Sequence, residues 1–378
     1  MFERIIRFAI EHRWLVLLAV FAIGGLGAYS YTRLPIDAVP DITNVQVQIN
    51  TAASGYSPLE AEQRITFPVE TAMAGLPRMV QTRSLSRYGL SQVTVVFEEG
   101  TDIFIARQLI SERLAQARES LPESITPEMG PISTGLGEIF MWTVEADEGA
   151  KKPDGSPYTP TDLREIQDWI IKPQLRNVRG VAEINSIGGF SKEYLVAPDP
   201  AKLSSFGLGL SDLVAAIERN NGNVGAGYIE KSGEQYLVRA PGQVASTEDI
   251  ANIVVKAVDG SPIRIGDVAT VGIGRELRTG AATDNGREVV LGTAFMLMGE
   301  NSRAVAQAVA EKMAQVKQSL PAGVHAITVY DRTHLVDKAI DTVRKNLLEG
   351  AILVIAVLFA FLGNLRAALI TAMVIPLA

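Results

Sequence analysis

The 378 residues contain no cysteine and only three histidines, His12, His325 and His334. Disulfides and thiolate metal sites are excluded, and an imidazole-rich site is poorly supplied. No Lys/Arg cluster occurs outside the N-terminus and the formal net charge is −7, so the footprint of a nucleic-acid binder is missing. Also missing are a P-loop, a G-x-S-x-G elbow, an H-E-x-x-H pair and a G-x-G-x-x-G after a strand. No signature of an enzyme remains.

Charge is missing locally as well. From Trp14 to Thr32 no side chain is charged. About 20 apolar residues cross a bilayer core of roughly 30 Å as a helix, so a membrane span is predicted over 14–32. Gly24, Gly25 and Gly27 would let a neighbouring helix approach, and Trp14, Tyr29 and Tyr31 stand where an aromatic belt belongs. Arg4, Arg7 and Arg13 precede the run and Arg33 follows it, which puts residues 1–13 in the cytoplasm. Residues 2–9 fit an amphipathic helix on the inner membrane surface. No small-x-small cleavage pattern follows, so the segment reads as an anchor that stays. A second span is predicted over 343–362. A third begins at residue 365 and reaches Ala378, so the sequence reads as the N-terminal piece of a longer chain.

Between the first two spans lie roughly 310 residues, far too many for a simple loop. With 47% hydrophobic and 20% charged residues, the chain mixes membrane spans with globular material. Val45, Val47 and Ile49 alternate with Gln46, Gln48 and Asn50, a half-buried strand. Ser57-Pro58-Leu59-Glu60 opens a helix that ends before Gly75-Leu76-Pro77. Strands follow at 79–87 and 90–98, turning at Tyr88-Gly89. Asp102 opens a helix ending at Leu121-Pro122, and a strand covers Leu136 to Val144. Strand, helix, two strands, helix, strand is a ferredoxin-like split βαβ unit.

That unit occurs twice. LAQARESLPESI (114–125) resembles MAQVKQSLPAGV (313–324), and each follows an apolar strand and a turn. The first subdomain is assigned to 42–134 and the second, split, to 135–189 and 277–331. The insert, 190–276, is rich in glycine and short strands and reads as a separate small lobe with a protruding loop.

The segments RLPIDAVPDITNVQVQI (33–49), RYGLSQVTVVFEEGTD (87–102), TPTDLREIQDW (159–169), NNGNVGAGYIE (220–230), VYDRTHLVDKAI (329–340) and FLGNLRAALI (361–370) together resemble the heavy-metal efflux branch of the resistance–nodulation–division transporters. The likeness covers the whole chain and is greatest to inner-membrane pumps of cobalt–zinc–cadmium resistance. It implies an α-helical membrane protein with an α+β periplasmic region. The βαβ units would be pore subdomains and the insert a docking lobe. It further implies a homotrimeric proton/cation antiporter, with no resident cofactor, in the bacterial inner membrane. That antiporter would work with a periplasmic adaptor protein and an outer-membrane channel, and its substrate would be zinc, cobalt or cadmium. In the family the proton-carrying acidic residues lie in a later span. The alternative is a two-span scaffold or regulator around a large periplasmic domain. Such domains are dominated by long helices, whereas this one alternates strand and helix.

Without cysteine and with few histidines, the ligands left for a cation are carboxylates with amide help, which suits zinc, cobalt or cadmium better than copper(I). Glu138 leads. Two-residue alternation places it with Leu136, Phe140, Trp142 and Val144, an apolar face where a carboxylate is costly unless a cation meets it. The corresponding strand of the superfamily lines the substrate pocket. Glu183 and Asn185 alternate onto one face of the strand in GVAEINSIGG, expected beside that of Glu138. Asp162 and Asp168 fall on a helix that reads as exposed. Asp331 reads as a helix cap. Asp37 and Asp41 read as fixing the exit of the first span, and His12 lies on the cytoplasmic side.

Overall fold

The computed structural model describes residues 2–33, 37, 43–123, 125–240, 242–258, 260–276, 280–363, 366 and 370. The expected third span (365–378) and Asp41 therefore lie outside the described residues, save Arg366 and Ile370.

Strands β1 (Gln46–Ala53), β2 (Met79–Arg87), β3 (Gly89–Phe97) and β4 (Pro127–Met129) form an antiparallel sheet of order β2-β3-β1-β4. Two helical segments connect them. The first spans 58–73 and is opened by a capping box, in which Ser57 and Glu60 satisfy each other's backbone N–H groups. The second, Ile103–Ala117, is capped by Asp102. Strand order and connections are those of a split βαβ unit. The closing strand differs from the one read in sequence. It is the three-residue β4, which begins with a proline and shows no alternation, and the strand read over Leu136 to Val144 belongs to the next sheet.

That next sheet repeats the plan. It begins with β5 (Glu138–Ala146), a helical segment over 160–176 and β6 (Val181–Ile187). The chain then leaves for the insert. The insert contains β7 (Lys192–Pro198), the hairpin β8 (Val224–Lys231) and β9 (Glu234–Ala240), then β10 (Val254–Val258), β11 (Ser261–Arg264) and β12 (Ala269–Arg275). It is less purely stranded than its glycines suggested. Helices Pro200–Ser205, Leu210–Arg219 and Thr247–Asn252 contribute Leu203, Leu213, Ala216 and Ile250 to a core of its own. The chain returns through β13 (Ala282–Asp284), β14 (Arg287–Met296), helix Ser302–Val316 and β15 (Val324–Asp331). The path β6-β14-β5-β15 reproduces β2-β3-β1-β4 position for position, and β13 lies on the β6 side of β14. The second connecting helices match as well. Each has 15 residues and runs into a three-residue 3-10 turn, Arg118–Ser120 or Lys317–Ser319.

The first connecting helices share a feature that sequence does not announce. Each contains one wide π-turn, Glu62–Thr66 or Gln167–Ile171, followed two residues later by Pro68 or Pro173. The residue before each proline donates its N–H five residues back, Phe67 to Glu62 and Lys172 to Gln167. A proline ring would meet the carbonyl four residues earlier in a regular helix, and the wider turn makes room for it. The turn also keeps an i+4 ladder straight. Ala61, Ile65, Val69 and Met73 are all fully buried, although at 3.6 residues per turn each step of four would drift by about 40°.

In the second unit the core lies between the sheet and its helices, around Phe140, Trp142, Ile171, Leu175, Ile184 and Val309. Trp142 stands opposite Gly292 in the ladder and its indole fills the space a Cβ there would take. Its Nε1 donates to Oε1 of Gln167, which lies in the π-turn, at 2.8 Å.

Helix Phe2–Glu11 is followed by the apolar helix Arg13–Arg33, and Arg332–Leu362 continues directly from β15. Among the described residues, no helix is long and apolar enough to cross a membrane.

Candidate functional site

A cleft of about 720 Å³ lies between the two βαβ units. One wall is the polar face of β1, with Gln46, Gln48 and Asn50, the side chains opposite the buried Val47 and Ile49. Asn50 accepts from Nε2 of Gln92 at 3.0 Å. The other wall is β6, with Glu183 and Asn185. On that strand Ile184 is fully buried under the helices, and Ser186 donates to Asp168 at 2.6 Å on the same side. Alternation therefore turns Glu183 and Asn185 together towards the cleft. Glu128 adds a second carboxylate to the lining, while Arg107, Lys172 and Arg176 add positive charge. Arg107 donates to the carbonyl of Gly130 at 2.6 Å, and burial lowers its pKa.

Glu138 is placed differently from its sequence reading. Ala294 pairs with Phe140 but the next residue, Phe295, pairs with Glu138, so β5 has one extra residue, Ile139, at this point. Ile139, Phe140 and Ala294 all belong to the helix-covered core. The bulge absorbs one step of the alternation and takes Glu138 off the apolar face of Phe140, Trp142 and Val144. Leu136 lies outside the strand, in the 3-10 turn Gly135–Gly137. The expected adjacency of β6 to the strand of Glu138 is also corrected, because β14 runs between them.

The correction brings the two carboxylates into one row. Phe295 is the register partner of Glu138 on one side and of Glu183 on the other. Two strand spacings put their backbones about 10 Å apart. Phe295 and Glu183 line the cleft, as do Thr134 and Gly135 just before Glu138. Both glutamates are half-buried, and among the described residues neither carboxylate has a hydrogen bond or an ion pair. Among the described residues no three His, Cys, Asp or Glu side chains converge into a complete metal site.

The other acidic candidates have structural work. Asp162 forms a capping box with Thr159 and binds Nζ of Lys152 at 3.0 Å. Burial pushes its carboxyl pKa up, but hydrogen bonds from Thr159 and Lys152 outweigh that and hold it below the usual value. Asp168 accepts from Arg164 and from Ser186, each at 2.6 Å. Asp331 caps helix Arg332–Leu362, and Asp37 pairs with Arg332. His12 stacks on Phe8, and His325 meets Asp147 at 2.9 Å. His334 is exposed. The cleft's cations Arg107, Lys172 and Arg176, its second carboxylate Glu128 and the β1 amides Gln46, Gln48 and Asn50 were missed as site residues, whereas the amide of Asn185 was named. The polar alternation of β1 was the one signal for them.

Paired βαβ units with a lobe inserted in the second define a known class. The structure superposes on the crystal structure of a heavy metal efflux pump, crystal form II, with a TM-score of 0.88 at 31% identity. The match covers 99% of this chain and 37% of that one. Residues 5–378 match the profile of the AcrB/AcrD/AcrF family, and the chain belongs to that family. It is 70% identical over 378 residues to the cobalt-zinc-cadmium resistance protein CzcA of Cupriavidus metallidurans (strain ATCC 43123 / DSM 2839 / NBRC 102507 / CH34), covering 100% of this chain and 36% of that protein. To the nickel-cobalt-cadmium resistance protein NccA of Alcaligenes xylosoxydans xylosoxydans it is 48% identical over 401 residues, covering 100% of this chain and 37% of that protein. The chain thus spans about a third of the length of the curated relatives it matches.

Proposed function

We propose that the chain is the N-terminal part of a proton-driven pump of the resistance–nodulation–division type that exports divalent heavy-metal cations, zinc, cobalt or cadmium. It is a secondary transporter and not an enzyme. The observation that carries this reading is the row Glu138–Phe295–Glu183 beside a polar cleft. Two half-buried carboxylates without a protein partner among the described residues favour a cation, and Asn185 adds an amide oxygen of matching hardness. These residues supply part of a coordination sphere for a passing substrate. The metals in the relatives' names, cobalt, zinc, cadmium and nickel, support the same substrate class.

The two apolar helices, over 14–32 and 343–362, cross the inner membrane of a bacterium, with residues 1–13 in the cytoplasm and the βαβ units in the periplasm. Support comes from their bare apolar surfaces. Phe21 is 77% exposed, Leu353 66% and Phe361 88%, a pattern that lipid covers and water does not. The assembled pump is a homotrimer joined to a periplasmic adaptor and an outer-membrane channel, with the lobe at 190–276 on the docking side. It needs no resident cofactor. Family membership leaves the two-span scaffold without support.

The test is zinc transport by the full-length gene product in proteoliposomes, with zinc affinity measured by titration calorimetry. Glu138→Gln and Glu183→Gln should each weaken zinc binding by about tenfold or more while the fold survives. Unchanged affinity in both variants would overturn the site. No zinc movement by the parent protein under a proton gradient would overturn the transport reading.

A further inference from the structure

Arg332 opens the 31-residue helix Arg332–Leu362 and is only 5% exposed. A guanidinium there is doubly disfavoured. Burial strips its water, and the start of a helix is the positive end of the macrodipole. The helix does not need it as a cap, because Asp331 already accepts from the N–H of Thr333 at 2.8 Å.

What Arg332 does is join three distant segments. Its Nε and Nη2 donate to Oδ1 of Asp37 at 2.9 and 2.8 Å, and its Nη1 donates to the carbonyl of Leu136 at 3.0 Å. Asp37 lies just beyond the apolar helix Arg13–Arg33. Leu136 is the middle of the turn Gly135–Gly137, and the next residue after that turn is Glu138. The planar fork fixes the directions of its N–H groups, so the three segments are held at set angles as well as set distances. A lysine, with one rotatable ammonium, would not do this.

We propose that Arg332 is a positioning residue that sets where the Glu138 carboxylate stands relative to the two apolar helices. Displacement of either helix then reaches the Glu138 turn through one guanidinium. The proposal rests on the reading of Glu138 as a cation ligand. It adds a route by which the ligand's position follows the helices.

Two measurements on the full-length protein decide it. The first is zinc titration of the parent, Arg332→Gln, Glu138→Gln and the double variant. Arg332→Gln should weaken zinc binding about tenfold, with Arg332→Lys no better, and should add nothing once Glu138 is already Gln. Losses that multiply in the double variant would overturn the proposal, since Arg332 would then act elsewhere. The second is amide hydrogen exchange, which should quicken over residues 135–138 in Arg332→Gln. Unchanged exchange there would overturn the proposal. If Glu138→Gln alone leaves zinc affinity intact, the ligand reading fails, and exchange still decides whether the clasp holds the turn. Should Arg332→Gln fail to fold, Asp37→Asn loosens the same clasp from its other side and carries both measurements.

Discussion

Replacing Gly292 by alanine would set a methyl group into the indole of Trp142. An ideal Cβ at this position overlaps Cε2 and Cζ2 of the ring and comes within 2.6 Å of Nε1. The ring has no free direction in which to move, because Trp142 is fully buried and tied to Gln167 at 2.8 Å. Two costs follow. Overpacking a dense core costs about 1–3 kcal/mol. If the indole slides off Gln167, a buried donor and acceptor lose each other, for about 1–3 kcal/mol more. The expected loss is about 2–6 kcal/mol, which in a domain of this size lowers the melting temperature by about 4 °C or more. Thermal unfolding followed by tryptophan fluorescence measures it. Trp142→Leu in the same molecule should recover part of the loss, giving a coupling of about 1 kcal/mol or more between the two sites. A melting shift under about 1 °C for Gly292→Ala, or strictly additive effects in the double variant, would refute the reasoning.

The same network makes Gln167→Leu costly. It strips the partner from Nε1 of Trp142, and a loss of about 1–3 kcal/mol is expected in thermal or denaturant unfolding. A change below about 0.5 kcal/mol would count against it. Asp162→Asn should cost about 1 kcal/mol near neutral pH through the weakened cap. The sign of its pH dependence follows from the lowered pKa. The carboxylate's contribution is complete above the unfolded value, near 3.9, and is lost as pH falls through the still lower folded value. The gap between Asp162→Asn and the parent should therefore narrow as pH drops from about 5 towards 2. A gap that widens on acidification would contradict the assignment.

Local chemistry was legible in the residues. Ser57-Pro58-Leu59-Glu60 announces a capped helix because cap and partner lie three positions apart. The shared helix ending revealed the duplicated unit because it sits in one continuous segment of each copy. Misreadings arose where one residue changes the register or where partners are remote. Ile139 reverses the side on which Glu138 falls, and nothing in the apolar run IFMW marks which residue is surplus. Strand β4 is too short to alternate, and its proline argues against a strand. The clasp of Arg332 on Asp37 joins residues 295 positions apart, beyond any local pattern. The polar face of β1 was visible, but the wall it faces exists only once two units stand side by side.

The wide turns before Pro68 and Pro173 also bear on how the gene can change. Losing one codon there would let the helix tighten, yet the ring would then strike the carbonyl behind it. Losing the ring alone would leave a surplus residue and the downstream side chains out of phase. Escape needs both edits in one step, so each intermediate is penalised. Both halves carry the wide turn and its proline, although the turn reads EQRIT in one and QDWII in the other.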